Sequence, residues 1–176
     1  MGTTGSSDPP PGSVELFVCG RLCLLGEHSD WAGGFRSSNP DIEKGYTLVA
    51  GTNEGLRAIV SSLPDPDASG VLSMTSTTDT GERRTRTFDL RDPGSLLEEA
   101  RAGGFWCHVA GTAHHMVTTF GSKIAHSIAI DNYDTNLPVK KGLSSSAAVC
   151  VLVARAFSRV FDLGLTAHQT IHHAHH

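Results

Sequence analysis

The segment LPVKKGLSSSAA, Leu137 to Ala148, concentrates residue types that can hold a phosphate. Pro138 restrains the chain ahead of a turn, and Gly142 admits a backbone shape that a side chain would hinder. Ser144, Ser145 and Ser146 then stand where a helix should begin. A helix N-terminus leaves N–H groups unpaired and carries positive dipole character, so it receives phosphate oxygens well. Serine hydroxyls add donors and can ligate Mg2+, the small Ala147 lets a triphosphate approach the backbone, and Lys140 and Lys141 supply positive charge. No Gly-Lys-Ser/Thr follows a glycine at the Walker spacing, so this is not a P-loop. Serines also cap buried helices very often, and on this string alone the cap is the commoner reading.

A second stretch, GRLCLLGEHSDWAGG from Gly20 to Gly34, gathers Arg21, Glu27, His28 and Asp30 around one loop. Carboxylates accept from neighbouring hydroxyls, histidine donates or accepts, and arginine stabilises developing negative charge. Such a set suits a polyhydroxylated ligand. A surface loop with an ordinary ion pair would carry the same residues.

Together, and in this order, the two stretches resemble the signatures of the GHMP kinases, the family that includes galactokinase, homoserine kinase, mevalonate kinase and phosphomevalonate kinase. The family's phosphate motif, roughly P-x-G-x-G-L-x-S-S-A, is matched by Pro138, Gly142, Leu143, Ser145, Ser146 and Ala147. Lys140 stands where many members have the first glycine. The earlier stretch resembles the galactokinase-type signature G-R-x-N-L-I-G-E-H-T-D-Y-N-G-G, with Cys23 and Ala32 at its asparagines and Trp31 at its tyrosine.

The resemblance implies an α+β fold, the ribosomal-protein-like β-α-β N-terminal domain with a left-handed crossover, over residues 14–164. It implies that Lys140, Lys141, Gly142, Leu143, Ser144, Ser145, Ser146 and Ala147 embrace the phosphates of ATP, with Ser146 reaching Mg2+. Glu27, His28 and Asp30 would hold substrate hydroxyls, and Arg21 would be catalytic, activating or stabilising the attacking hydroxyl. The reaction implied is in-line phosphoryl transfer to a sugar or sugar derivative. The family places a third glycine-rich motif, an acidic Mg2+ ligand and a catalytic aspartate further downstream. No such motif follows Gly164, so the expectation is a fragment with little activity alone, requiring a C-terminal domain. A non-catalytic sugar- and nucleotide-binding regulatory module is the alternative.

Hydrophobic pattern and turn residues predict the strands and helices that carry these side chains. Val14 to Leu25 is rich in strand formers and broken at Gly20-Arg21, which predicts a strand with a bulge. Two extended pieces are expected at Tyr46 to Ala50 and Leu56 to Ser61, separated by Gly51-Thr52-Asn53. Val71 to Thr77 and Arg83 to Asp89 form a hairpin across Asp79-Thr80-Gly81, with Arg83, Arg84 and Arg86 solvated. Ser95 with Glu98 predicts a capped helix start. Helical spacing predicts a helix from Phe105 to Phe120, its stripe of Trp106, Val109, Ala113, Met116, Val117 and Phe120 being core and His108, His114 and His115 exposed. A strand from Ile124 to Ile130, a turn from Asp131 to Asn136 and a mostly buried helix from Ser145 to Asp162 complete the series.

With 176 residues, 39% hydrophobic and 18% charged, the chain can bury one ordinary globular core. A net charge of −4 gives no reason to expect nucleic acid as a partner. No apolar segment is long enough to cross a bilayer. The first 13 residues read as a disordered leader without signal-peptide character. Its fit to the myristoylation pattern through Gly2 and Ser6 lacks a second membrane signal. Cys19, Cys23, Cys107 and Cys150 read as buried, reduced thiols, consistent with a cytoplasmic address. The final residues, 165–176, read as a frayed, His-rich tail.

Overall fold

A computed structural model describes residues 10–26, 35–63, 70–78, 80–137 and 144–175. Its strands are β1 (Ser13–Leu25), β2 (Leu48–Leu63), β3 (Val71–Thr77), β4 (Arg83–Asp89) and β5 (Ser127–Thr135), joined in one sheet of order β1-β2-β5-β3-β4. Side chains alternate across a strand, and the paired register sets Leu16, Ala58, Val60, Ile130, Met74 and Leu72 on one buried face. Neighbouring strands run antiparallel except β3 and β5, which are parallel. A parallel pair requires a crossover, and here it carries β4, helix α1 (Pro93–Ala102) and helix α2 (Cys107–Phe120). Helices α3 (Ser145–Val160) and α4 (Ala167–His175) follow β5. This mixed sheet with helices packed against its apolar face is the expected α+β fold.

Helix α3 is the longest of the described helices, with 16 residues, and begins at the expected Ser145. Ala148, Leu152, Val153, Ala154, Ala156 and Phe157 are buried against the sheet and the neighbouring helices. Burying Leu152 and Phe157 completely contributes about 1.5–3 kcal/mol each. The helix, and with it the position of its N-terminus, is therefore fixed by the core.

The bulge in β1 lies where the sequence places it, as a register shift between Cys19 and Arg21. The β3–β4 hairpin also has the expected limits. Several expectations need correction. β2 is one strand rather than two pieces: Cys19 pairs with Gly55 and Arg21 with Gly51, so the intervening residues are absorbed opposite the bulge. Helix α1 is capped by Asp92, whose carboxylate accepts from the Ser95 N–H at 3.1 Å, and not by Ser95. β5 continues through the expected turn, because Asn132 is buried with its amide bonded to the Arg57 and Asp134 carbonyls at 3.0 and 2.9 Å. Arg83, Arg84 and Arg86 are not merely solvated but pair with Asp131, Glu82 and Glu99.

The cysteines are free but not buried: Cys19 is exposed and the other three are half-buried. His108 is exposed as expected, whereas His114 and His115 are half-buried. The tail forms helix α4, with Thr170 buried and His173 Nδ1 3.0 Å from His115 Nε2 of α2. Among the described residues no three His, Cys, Asp or Glu side chains could hold a metal ion, and no helix is long and apolar enough to cross a membrane.

Candidate nucleotide and phosphoryl-transfer site

The β1 bulge and the start of α3 meet. Arg21 follows the bulge, and its Nε donates to the Ser144 Oγ at 3.0 Å across 123 positions of sequence. Ser144 is the N-cap of α3, yet its hydroxyl makes no cap bond. Its backbone is left-handed, with φ 55° and ψ 43°, a conformation uncommon for any residue but glycine. The Ala148 N–H closes the first helical turn on the Ser144 carbonyl at 3.0 Å. The N–H groups of Ser145, Ser146 and Ala147 therefore precede the intrahelical ladder and have no partner within it. Ser144 and Ser145 are half-buried, while Ser146 and Ala147 are exposed.

The structure thus brings together Arg21, Ser144, Ser145, Ser146 and Ala147. The other residues singled out by sequence, Glu27, His28, Asp30, Lys140, Lys141, Gly142 and Leu143, lie outside the described residues. Arg21 is held against the helix start, the place where anionic charge is favoured by both the dipole and the guanidinium.

Sequence reasoning missed what stands beside the serines. A cavity of about 380 Å3 is lined by Ser145, Ser146 and Val149 of α3, by residues 103–109 at the α1–α2 junction, and by residues 76–78 at the end of β3. Asn132 and Thr135 of β5 complete its floor. The volume is that of a small-molecule site. Phe105 and Trp106 stand edge to face, with centroids 4.8 Å apart and planes at 86°, and Trp106 also meets Phe88 edge-on at 6.1 Å. The reading of Trp106 as core holds for its burial, but its ring also forms cavity wall. The available signal was Gly103-Gly104 immediately before two aromatic residues, a break between the two helices.

Among the described residues no carboxylate lines this cavity. Near its rim the Arg84 guanidinium lies 4.8 Å from the Phe105 centroid. The Arg84 hydrogen bond holds the Glu82 carboxyl below its ordinary range, and the same bond raises Arg84. An apolar, aromatic end beside a helix N-terminus with a guanidinium can accept a flat ring at one side and phosphate at the other. A larger cavity, about 630 Å3, lies between α3 and α4, and its described lining includes none of the motif residues.

Comparison with known proteins bears on the fold. Residues 108–176 match the family described as GHMP kinases N terminal domain. That match spans the serine motif and leaves Gly20 to Gly34 outside. The fold is similar to that of mevalonate kinase from Methanococcus jannaschii, with a TM-score of 0.68 and 12% identity, over 94% of this chain and 46% of that one. It is also similar to a provisionally assigned sugar kinase from Campylobacter jejuni, with a TM-score of 0.53 and 16% identity, over 90% of this chain and 44% of that one. The chain therefore spans less than half the length of these two structures. No curated protein sequence matches it significantly. The resemblance to the N-terminal domain of the GHMP kinases, read first from two motifs, is borne out by the family match and by the fold.

Proposed function

We propose that this chain, with the fold of a GHMP kinase N-terminal domain, is the ATP- and acceptor-binding half of a small-molecule kinase that phosphorylates a sugar or sugar derivative. The observation that carries the reading is the Arg21–Ser144 contact. It joins the first motif to the start of the second, as phosphoryl transfer requires when an acceptor hydroxyl must approach the terminal phosphate. The neighbouring aromatic cavity supports a nucleotide ring beside the phosphates. The loop that resembles the galactokinase signature favours a sugar as acceptor, through Glu27, His28 and Asp30.

In this reading the phosphates lie over the N–H groups of Ser145, Ser146 and Ala147, with Lys140, Lys141, Gly142 and Leu143 closing the loop around them. By the family resemblance, Ser146 would offer one hydroxyl to a Mg2+ ion held mainly by the phosphates. The ion would neutralise charge on the transferring group. A second reading is a sugar- and nucleotide-binding module without phosphotransfer.

Two measurements test these readings. Binding of ATP to the 176-residue chain should be weakened by Ser146→Ala, and its absence would remove both. Sugar-dependent ADP release across a panel of sugars separates kinase from module. Little turnover is expected from these residues alone; turnover abolished by Ser146→Ala and by Asp30→Ala would establish a complete active site.

A further inference from the structure

Ser144 is placed at a cost. A non-glycine residue in the left-handed region is disfavoured relative to glycine, and Ser144 has φ 55°. A serine at an N-cap ordinarily has a β-region backbone and bonds to an N–H of the first turn. This one makes no such bond. Its hydroxyl instead accepts from the Nε of Arg21, and among the described residues that is the only partner of either side chain. A guanidinium tied through Nε has its plane fixed while its two terminal nitrogens stay available as a fork.

Resting on the kinase reading above, we propose that Ser144 is a positioning residue: it acts on bound phosphate through Arg21, by orienting the guanidinium beside the start of α3, and makes no phosphate contact of its own. Arg21 is then a ligand of the nucleotide's phosphates, on the donor side of the reaction. The family motif leaves the position of Ser144 open, so only the fold reveals this use of it. Without the hydroxyl acceptor, Arg21 must be ordered when the nucleotide binds, and ordering one long side chain weakens binding about two- to tenfold.

The test compares ATP with adenosine as ligands of the full 176-residue chain. Adenosine reports the cavity and ATP reports the cavity plus phosphates. Ser144→Gly should raise the melting temperature by relieving the left-handed strain, yet lower ATP affinity about two- to tenfold with adenosine unchanged. Ser144→Asn, which tolerates the left-handed region and presents a carbonyl acceptor, should restore much of the ATP affinity. In an Arg21→Ala background Ser144→Gly should have no further effect on ATP, because the two side chains act as one unit. An undiminished effect of Ser144→Gly in that background would overturn the proposal, as would ATP affinity unchanged by Ser144→Gly alone. Should the parent protein bind adenosine but gain nothing from the phosphates, the kinase reading itself falls, an outcome visible before any variant is made.

Discussion

The Arg155 guanidinium donates to the Phe17 carbonyl across 2.6 Å, tying the middle of α3 to β1 at a second point beyond Arg21 and Ser144. The helix that carries the phosphate motif and the strand that carries the first motif are thereby held at two levels. Removing the donor leaves a half-buried carbonyl unpaired. Arg155→Met keeps the aliphatic stem but loses the charge, and should lower unfolding free energy by about 1–3 kcal/mol. Arg155→Lys should recover only part of this, because an ammonium lacks the planar fork. Urea unfolding checks both, and an unchanged midpoint for the methionine variant would show that the contact contributes nothing.

Gly55 governs how closely β1 and β2 approach around the bulge. A Cβ there would overlap the Val18 carbonyl oxygen and stand 2.5 Å from Cε2 of Phe17. The Phe17 ring can turn away, but the strand backbone cannot. Gly55→Ala should therefore destabilise the protein by about 1–3 kcal/mol. Gly121→Ala is the opposite case. Its φ is −48°, a methyl group there would meet nothing within 4 Å, and the change should stabilise by about 0.4–1 kcal/mol. Thermal melts of the two variants should move in opposite directions; a common direction would contradict the account.

These contacts explain how much of the molecule could be read in advance. The hairpin and the start of α3 were legible because Asp79-Thr80-Gly81 and the serine run are local signals, although Ser144 makes no cap bond. Asp131 and Asn132 looked like a turn because polarity is local, whereas their partners are not. Arg83 reaches Asp131 over 48 positions, and the Asn132 amide serves carbonyls of β2 and β5. Gly51-Thr52-Asn53 looked like a break for the same reason, since only the partner strand shows what the extra residues oppose. At the site, the motif residues could be named from spacing. The aromatic cavity assembles from β3, β5, α3 and the α1–α2 junction, and so has no linear signature.

Tyr133 supplies a pH dependence. Its hydroxyl donates to Glu15 Oε1 at 2.5 Å, joining β5 to β1 across β2. That hydrogen bond is the main reason the phenol titrates above its ordinary value of 10.0, with burial adding to it. A raised folded-state value means that the protonated form is favoured by folding. The stabilisation is therefore complete below the ordinary value and is lost as pH rises through the raised one. Tyr133→Phe should melt below the parent at neutral pH, and the gap should close only above about pH 10. The effect is small, because the residue is 37% exposed. A gap that closes on acidification instead would assign it to another group.

The ribbon that carries Arg21 reaches past the rest of the sheet. β2 pairs with β5 only from Leu56 onward, so residues 20–25 of β1 and 48–55 of β2 extend beyond it as two strands. Leu22, Leu24, Leu25, Leu48 and Val49 are exposed there, and Tyr46 is exposed just ahead of β2. β1 is also an edge strand, and Leu22 to Leu25 carries no charge to discourage pairing with another strand. Such a segment promotes association in solution. Leu24 and Leu48 are 52% and 55% exposed, so their replacement removes little packing. Leu24→Lys combined with Leu48→Glu should reduce binding of an apolar dye and raise soluble yield, with unfolding free energy changed by no more than about 0.5 kcal/mol. A large loss of stability would mean that these leucines belong to the core of the folded chain, and the ribbon would not be the surface it is taken to be.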